Sequence, residues 1–243
     1  MPAHPPYKGT ALVTGAARRI GKTLALALSR WGYRVALHCN RSHKDAGAVA
    51  REIKKEGGDC EIFAFDLADA GKVQALFKAV TRRFPDLNIL INNASIFEKS
   101  SLRKPDLGNF DRHFAVNLRA PYILTSLFAS SCKKGHIINI LDAHIVRDRT
   151  AHAAYLLSKK GLNELTRMSA YALAPDIRVN GIAPGLILPP EGEGQNYLDR
   201  LAKDIPLKRK GDLANIVRSL QFLLENDDLT GQIIFSDGGE HLE

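Results

Sequence analysis

The chain has 243 residues, 45% of them hydrophobic and 25% charged. That length and balance suit one globular domain whose core needs no disulfide or metal staple. The formal charge of +8 comes from dispersed basic residues that are not interleaved with stacking aromatics, so a solvated surface is expected in place of a nucleic-acid interface.

Residues 1–9 read as a flexible leader and 10–243 as a single domain. The leader, Met1-Pro2-Ala3-His4-Pro5-Pro6-Tyr7-Lys8-Gly9, has no apolar signal region, and no apolar run nears the roughly 20 residues of a membrane span. Cys39, Cys60 and Cys132 lack metal-ligand spacing. A cytoplasmic protein with reduced thiols, no bound metal and no membrane partner is therefore expected.

Along the chain, short apolar runs alternate with stretches of helical period, the signature of an α/β fold with a parallel sheet and crossover helices. Strands are expected at Thr10–Thr14, Tyr33–Cys39, Cys60–Phe65, Leu87–Asn92, Gly135–Leu141, Ile177–Ile182 and Gly231–Phe235. Helices are expected at Ile20–Trp31, His43–Glu56, Gly71–Phe84, Leu107–Ser131, Ala151–Ala174 and Asp212–Glu225. Gly32 and Gly57 follow the first two helices, as helix C-termini prefer, and Asp212 is placed to N-cap the last. The Pro- and Gly-rich stretch Pro184–Asp204 reads as a long irregular segment of the kind that forms lids. Within it Pro189, Pro190, Glu191 and Glu193 read as a solvated loop.

The first strand runs through Thr14-Gly15-Ala16-Ala17-Arg18-Arg19-Ile20-Gly21 straight into a helix. Glycine lets backbone approach a ligand, and the helix N-terminus offers N–H groups to a pyrophosphate. Arg19 stands where this turn usually carries its middle glycine. At the end of the second strand the chain reads Cys39-Asn40-Arg41-Ser42, without the acid that binds an unphosphorylated ribose. Guanidinium and hydroxyl groups there suit a 2′-phosphate, so NADPH/NADP+ is expected over NADH.

Tyr155 and Lys159 lie four apart on one predicted helix and share a face. Asn117 lies within the helix after the fourth strand, and Asp142 at the carboxyl end of the fifth, where open α/β sheets bind ligands. The turn, Asn92-Asn93-Ala94, Asn117, Tyr155-Leu156-Leu157-Ser158-Lys159 and Pro184-Gly185 together resemble the short-chain dehydrogenase/reductase family, from about Thr10 to Gly239. The resemblance implies a single Rossmann-like, doubly wound domain with a seven-stranded, mainly parallel sheet and helices on both faces. It also implies a proton-donating Tyr155, a Lys159 that holds the cofactor ribose and lowers the phenol pKa, and an Asn117 that organises a relay water. Cofactor contacts are implied for Gly15, Arg18, Ile20, Gly21, Asn40, Arg41, Ser42, Asp66, Leu67, Asn93, Ala94, Ser95, Tyr155, Lys159, Pro184, Gly185 and Leu186.

Asp142, thirteen residues before Tyr155, departs from the family's usual serine. An ionised carboxylate cannot donate to a substrate carbonyl and repels a forming alkoxide, so it suits a substrate that presents N–H groups, or a site that keeps the acid protonated. The same departure, the arginine in the turn and Asn92-Asn93-Ala94-Ser95-Ile96-Phe97 resemble pteridine reductases. By that resemblance Phe97 stacks a flat pterin, and Ser95, Asp142 and Tyr155 complete a substrate site. The ending Asp237-Gly238-Gly239-Glu240-His241-Leu242 is similar to bacterial reductases of the dihydropteridine or dihydromonapterin type, and implies a homotetramer with this region at a subunit contact. Two alternatives stand beside pterin reduction: a short-chain carbonyl or 3-ketoacyl reductase, and a non-catalytic NADPH-binding regulator.

Overall fold

A computed structural model describes residues 7–148, 150–189 and 194–242. Leader residues Met1–Pro6, and Pro190, Glu191 and Glu193 of the late loop, lie outside the described residues. The strands are β1 (Thr10–Val13), β2 (Arg34–Cys39), β3 (Cys60–Ala64), β4 (Leu87–Asn92), β5 (Gly135–Ile140), β6 (Ile177–Pro184) and β7 (Ile233–Ser236). They form one sheet in the order β3-β2-β1-β4-β5-β6-β7, with every neighbouring pair parallel. The helices are α1 (Arg19–Arg30), α2 (His43–Lys55), α3 (Ala70–Arg83), α4 (Leu107–Phe114), α5 (Ala120–Ser131), α6 (Ala153–Leu173), α7 (Gln195–Leu201) and α8 (Leu213–Glu225).

Side chains alternate across the sheet because successive Cβ atoms point to opposite faces. Ala11, Val13, Val35, Leu37, Ile89, Ile91, Ile138 and Ile140 pack with Leu24 and Leu28 of α1, Val49 and Ile53 of α2, and Leu220 and Leu223 of α8. Leu12, Ala36, Leu90 and Ile137 turn the other way, onto Leu76 and Phe77 of α3, Leu124 and Phe128 of α5, and Ala170 of α6. A sheet covered on both faces accounts for the near-continuous apolar runs of β4 and β5. The order reverses between β1 and β4, so the crevice at their carboxyl ends is where this architecture takes a ligand.

Three expectations need correction. Tyr7–Gly9 are fastened to the domain, with Lys8 N–H donating to Gly32 O at 3.0 Å and Asn88 Nδ2 donating to Lys8 O at 2.9 Å. The helix expected at Leu107–Ser131 is interrupted by a π-turn at Ala115–Arg119, where Ala120 N–H reaches Ala115 O. Pro121 has no N–H for the Asn117 carbonyl four residues earlier, which disrupts the α-helical ladder at that point. The late stretch is not wholly irregular, since α7 forms within it and buries Leu198, with Ala202 buried just beyond its end. Its proline and glycine content masked a short amphipathic segment.

Candidate active site

The turn between β1 and α1 is held from three sides. Gly15, at φ +64°, has Ala94 Cα only 2.9 Å from where a Cβ would stand, so glycine is required by both conformation and space. Thr14 Oγ1 accepts from Asn93 N–H (2.9 Å) and Ala94 N–H (3.0 Å), while Asn93 Nδ2 donates to Thr14 O (2.8 Å) and Gly15 O (3.2 Å). His38 Nδ1 accepts from Gly15 N–H at 3.1 Å and Nε2 donates to Phe65 O at 3.0 Å. Burial pushes this imidazole down to about 4, so the neutral ring that accepts from Gly15 is the stable one.

These residues fit a dinucleotide. No side chain caps α1 and no acid stands in its first turn, which leaves a positive helix end facing the crevice for a pyrophosphate. Ile20 and Gly21 lie in that first turn. Arg18, at the N-terminal end of the same helix, pairs with Asp45 of α2 at 2.6 Å. Arg19 adopts φ +51°, a conformation costing an L residue about 1–2 kcal/mol. Its guanidinium donates to Pro189 O (2.8 Å) and Leu188 O (3.4 Å), which ties the turn to the segment after β6. Asn40 and Arg41 are exposed and Ser42 is half-buried beyond β2. Asp66 Oδ1 accepts from Ala68 N–H at 2.9 Å and Asn40 Nδ2 at 3.5 Å, and Leu67 is buried beside it. Pro184 ends β6, Gly185 N–H reaches Ser236 O at 3.3 Å, and Leu186 N–H donates to Glu240 Oε2 at 2.8 Å.

Beyond β5, Tyr155 Oη donates to Asp142 Oδ2 at 2.7 Å. Asp142 Oδ1 accepts from the backbone N–H of His144 and from its Nδ1, both at 2.8 Å. Burial alone would raise the Asp142 pKa, but the His144 hydrogen bonds and charge outweigh it, and the acid is held below its ordinary range. That direction favours the ionised form of the carboxyl group over the protonated one. The Tyr155 phenol is raised well above 10 by burial first and by Asp142 second. Lys159 is buried, donates to Ile140 O at 2.7 Å, and is lowered to about 8 by burial against the pull of Asp142. The expected lowering of the phenol by Lys159 is therefore overridden: its Nζ lies 5.8 Å from the Tyr155 ring centroid, while the carboxylate is in direct contact.

Asn117 is fully buried in the π-turn. Its Oδ1 accepts from Ile96 N–H (2.9 Å), and its Nδ2 donates to Ile96 O (3.1 Å) and Ser158 Oγ (3.1 Å). It thereby locks the loop after β4 to α6. Phe97, on that loop, is half-exposed, stacks on His152 with ring centroids 4.2 Å apart, and meets Tyr155 edge-on at 4.7 Å. Ser95 is exposed, with its hydroxyl 3.3 Å from Ile96 O. The structure thus gathers Asp142, Tyr155, Lys159, Asn117 and Phe97 at one end of the sheet. The sequence reading gave no role to Thr14, Ser158 and Glu240, which it quoted only within motifs, and did not single out His38 or His144. His38 carried a signal, as the polar residue in the otherwise apolar run Val35-Ala36-Leu37-His38-Cys39.

Among the described residues no three His, Cys, Asp or Glu side chains are placed to hold a metal, and no helix is long and apolar enough to cross a membrane. Cys39, Cys60 and Cys132 are unpaired thiols, and burial pushes that of Cys132 up to about 11.

The short chain dehydrogenase family matches residues 9–196. The 3-oxoacyl-[acyl-carrier-protein] reductase of Staphylococcus aureus is 32% identical over 241 residues, 96% of this chain and 98% of that protein. The crystal structure of FolM alternative dihydrofolate reductase 1 from Brucella suis, in complex with NADP, superposes with a TM-score of 0.92 at 38% identity, over 97% of this chain and 96% of that one. The angucycline C-6 ketoreductase LanV with bound NADP follows at 0.90 and 29%, over 98% of this chain and 97% of that one. The chain belongs to the short chain dehydrogenase family.

Proposed function

We propose that this protein is an NADPH-dependent reductase of a pterin or dihydropterin, and the observation that carries the reading is the Asp142 carboxyl group in contact with Tyr155 Oη, its pKa held down by His144. NADPH supplies a hydride when bound. Its 2′-phosphate falls to Arg41 and Ser42, its pyrophosphate to the α1 end and its adenine to Asp66, while Lys159 takes the ribose. The reduced C=N bond of a dihydropterin also needs a proton at nitrogen, and Tyr155 Oη holds one. Asp142 accepts from the amino and ring N–H groups of the heterocycle, Phe97 offers a flat apolar face for it, and Asn117 fixes the loop that carries Phe97. The dihydrofolate reductase from Brucella suis, at 38% identity, supports this substrate class.

Carbonyl or 3-oxoacyl reduction is the second reading, favoured by the 32% identity to the Staphylococcus reductase. It is disfavoured by chemistry, because the position that would donate to a carbonyl carries a carboxylate. A homotetramer and a cytoplasmic location belong to the same proposal.

The discriminating binding experiment compares a dihydropterin with its analogue methylated at the amino and ring nitrogens, titrated into the NADP+ complex. An ionised acceptor predicts at least about tenfold weaker binding of the methylated compound, from loss of charge-assisted bonds worth roughly 1.5–3 kcal/mol. Equal affinities would remove Asp142 from substrate recognition.

A further inference from the structure

The catalytic carboxylate is not held by the tyrosine alone. Both hydrogen bonds to Asp142 Oδ1 come from His144, at 2.8 Å each, which turns Oδ2 toward Tyr155. On its other side the His144 imidazole places Nε2 3.0 Å from Glu240 Oε1. Glu240, only 7% exposed, uses its second oxygen to accept from Leu186 N–H at 2.8 Å. The segment is tightly seated there, since a Cβ on Gly185 would stand 2.5 Å from Glu240 Oε2. One chain of contacts therefore runs from Tyr155 through Asp142, His144 and Glu240 to the backbone that follows β6.

We infer that His144 and Glu240 are positioning residues of the reaction: His144 fixes and polarises the Asp142 carboxylate, and Glu240 anchors His144 to the cofactor-side segment at Leu186. The inference rests on the reading of Asp142 as the acceptor of substrate N–H groups. The imidazole stands between the two acids, with Nδ1 2.8 Å from Asp142 Oδ1 and Nε2 3.0 Å from Glu240 Oε1. The charged and titratable groups around Asp142 are Tyr155 and Lys159 from α6, His144 from its own turn and Glu240 from the C-terminal turn. Behind Glu240 lies the Asp237–His241 pair, at 2.7 Å. Removing the His144 imidazole takes away the strongest opposition to burial at Asp142 and leaves only the backbone N–H of residue 144 and Tyr155 Oη, so the acid holds its proton to higher pH.

The test is the pH profile of kcat/KM with NADPH and a 7,8-dihydropterin, for wild type, His144→Leu, His144→Asn and Glu240→Gln. Activity requires ionised Asp142 and falls as pH drops through its pKa. His144→Leu should move that acid limb up by about one pH unit or more, the size of a lost neighbouring charge. His144→Asn, which keeps a side-chain N–H for Oδ1 beside the backbone N–H common to all the variants, should fall between it and wild type, and Glu240→Gln should move the limb less. A purely structural role would lower activity at every pH and leave the limb in place. NADPH affinity checks that each variant is folded, and if His144→Leu fails that check, His144→Asn carries the comparison. An unmoved limb in the folded His144 variants, with wild type active on dihydropterin, overturns the positioning role alone. A wild type inactive on dihydropterin overturns the substrate reading and this inference with it.

Discussion

Replacing Asp142 with asparagine removes one charge, keeps the shape, and produces two effects of opposite sign. The contact with Tyr155 Oη at 2.7 Å is charge-assisted, and such bonds contribute roughly 1.5–3 kcal/mol. Asp142 is the second cause, after burial, that raises the phenol. Losing it should move Tyr155 down by about 1–2 pH units, since one unit corresponds to about 1.4 kcal/mol. Tyr155 must be protonated to act as an acid, so the alkaline limb of kcat/KM should move to lower pH by that amount. Meanwhile the substrate loses its ionised acceptor, and kcat/KM for a dihydropterin at neutral pH should fall about 10- to 100-fold. For a simple ketone the second effect vanishes and the variant should be unimpaired or better. The assay is NADPH oxidation from neutral to strongly alkaline pH with both substrates. An Asp142→Asn enzyme with unaltered dihydropterin turnover and an unmoved alkaline limb would refute the reasoning.

Tyr155→Phe should bind NADPH as wild type does, yet lose about 10²–10⁴ in turnover, and retained turnover would take the proton-donor role from Tyr155. Arg41→Asp should weaken NADPH at least tenfold more than NADH, measured by fluorescence titration, because only the former carries a 2′-phosphate to be repelled; equal losses would cancel the assignment. Acid should destabilise the fold through His38 and His136, held at about 4 and about 3 against an ordinary 6.5. Both are neutral when folded, so their contribution is full above pH 6.5 and is lost as pH falls toward those values, with His38 alone accounting for about 3 kcal/mol. Denaturant melts from pH 7 to pH 4 should show this loss, and His38→Asn should flatten it. An equal slope in that variant would contradict the account.

The sheet was legible because each strand is a short apolar run facing two helical layers, and all seven strands lie within a few residues of their expected bounds. The site residues were legible where a motif spaces them, as at Gly15, Tyr155 and Lys159. The rest depends on contacts that spacing does not encode. His144 bonds its near neighbour Asp142, yet its other nitrogen lies 3.0 Å from Glu240, 96 positions further along the chain. The π-turn arises from the conjunction of Pro121 with an Asn117 side chain anchored to Ile96, whereas the helical period of 107–131 runs through it unbroken. The environment of Tyr155 was half legible, since Asp142 and Lys159 were both placed at the same site, but which of them governs the phenol depends on distance and burial.

The most direct test of the central claim is NADPH consumption with a 7,8-dihydropterin, run beside 3-oxoacyl thioesters and simple ketones at neutral pH. An ionised Asp142 predicts a kcat/KM for the dihydropterin that exceeds every carbonyl substrate by at least about tenfold, the worth of one charge-assisted hydrogen bond. Preferential turnover of a 3-oxoacyl thioester would contradict it, leaving the fold and the Tyr155 chemistry in place and the assigned role of Asp142 wrong.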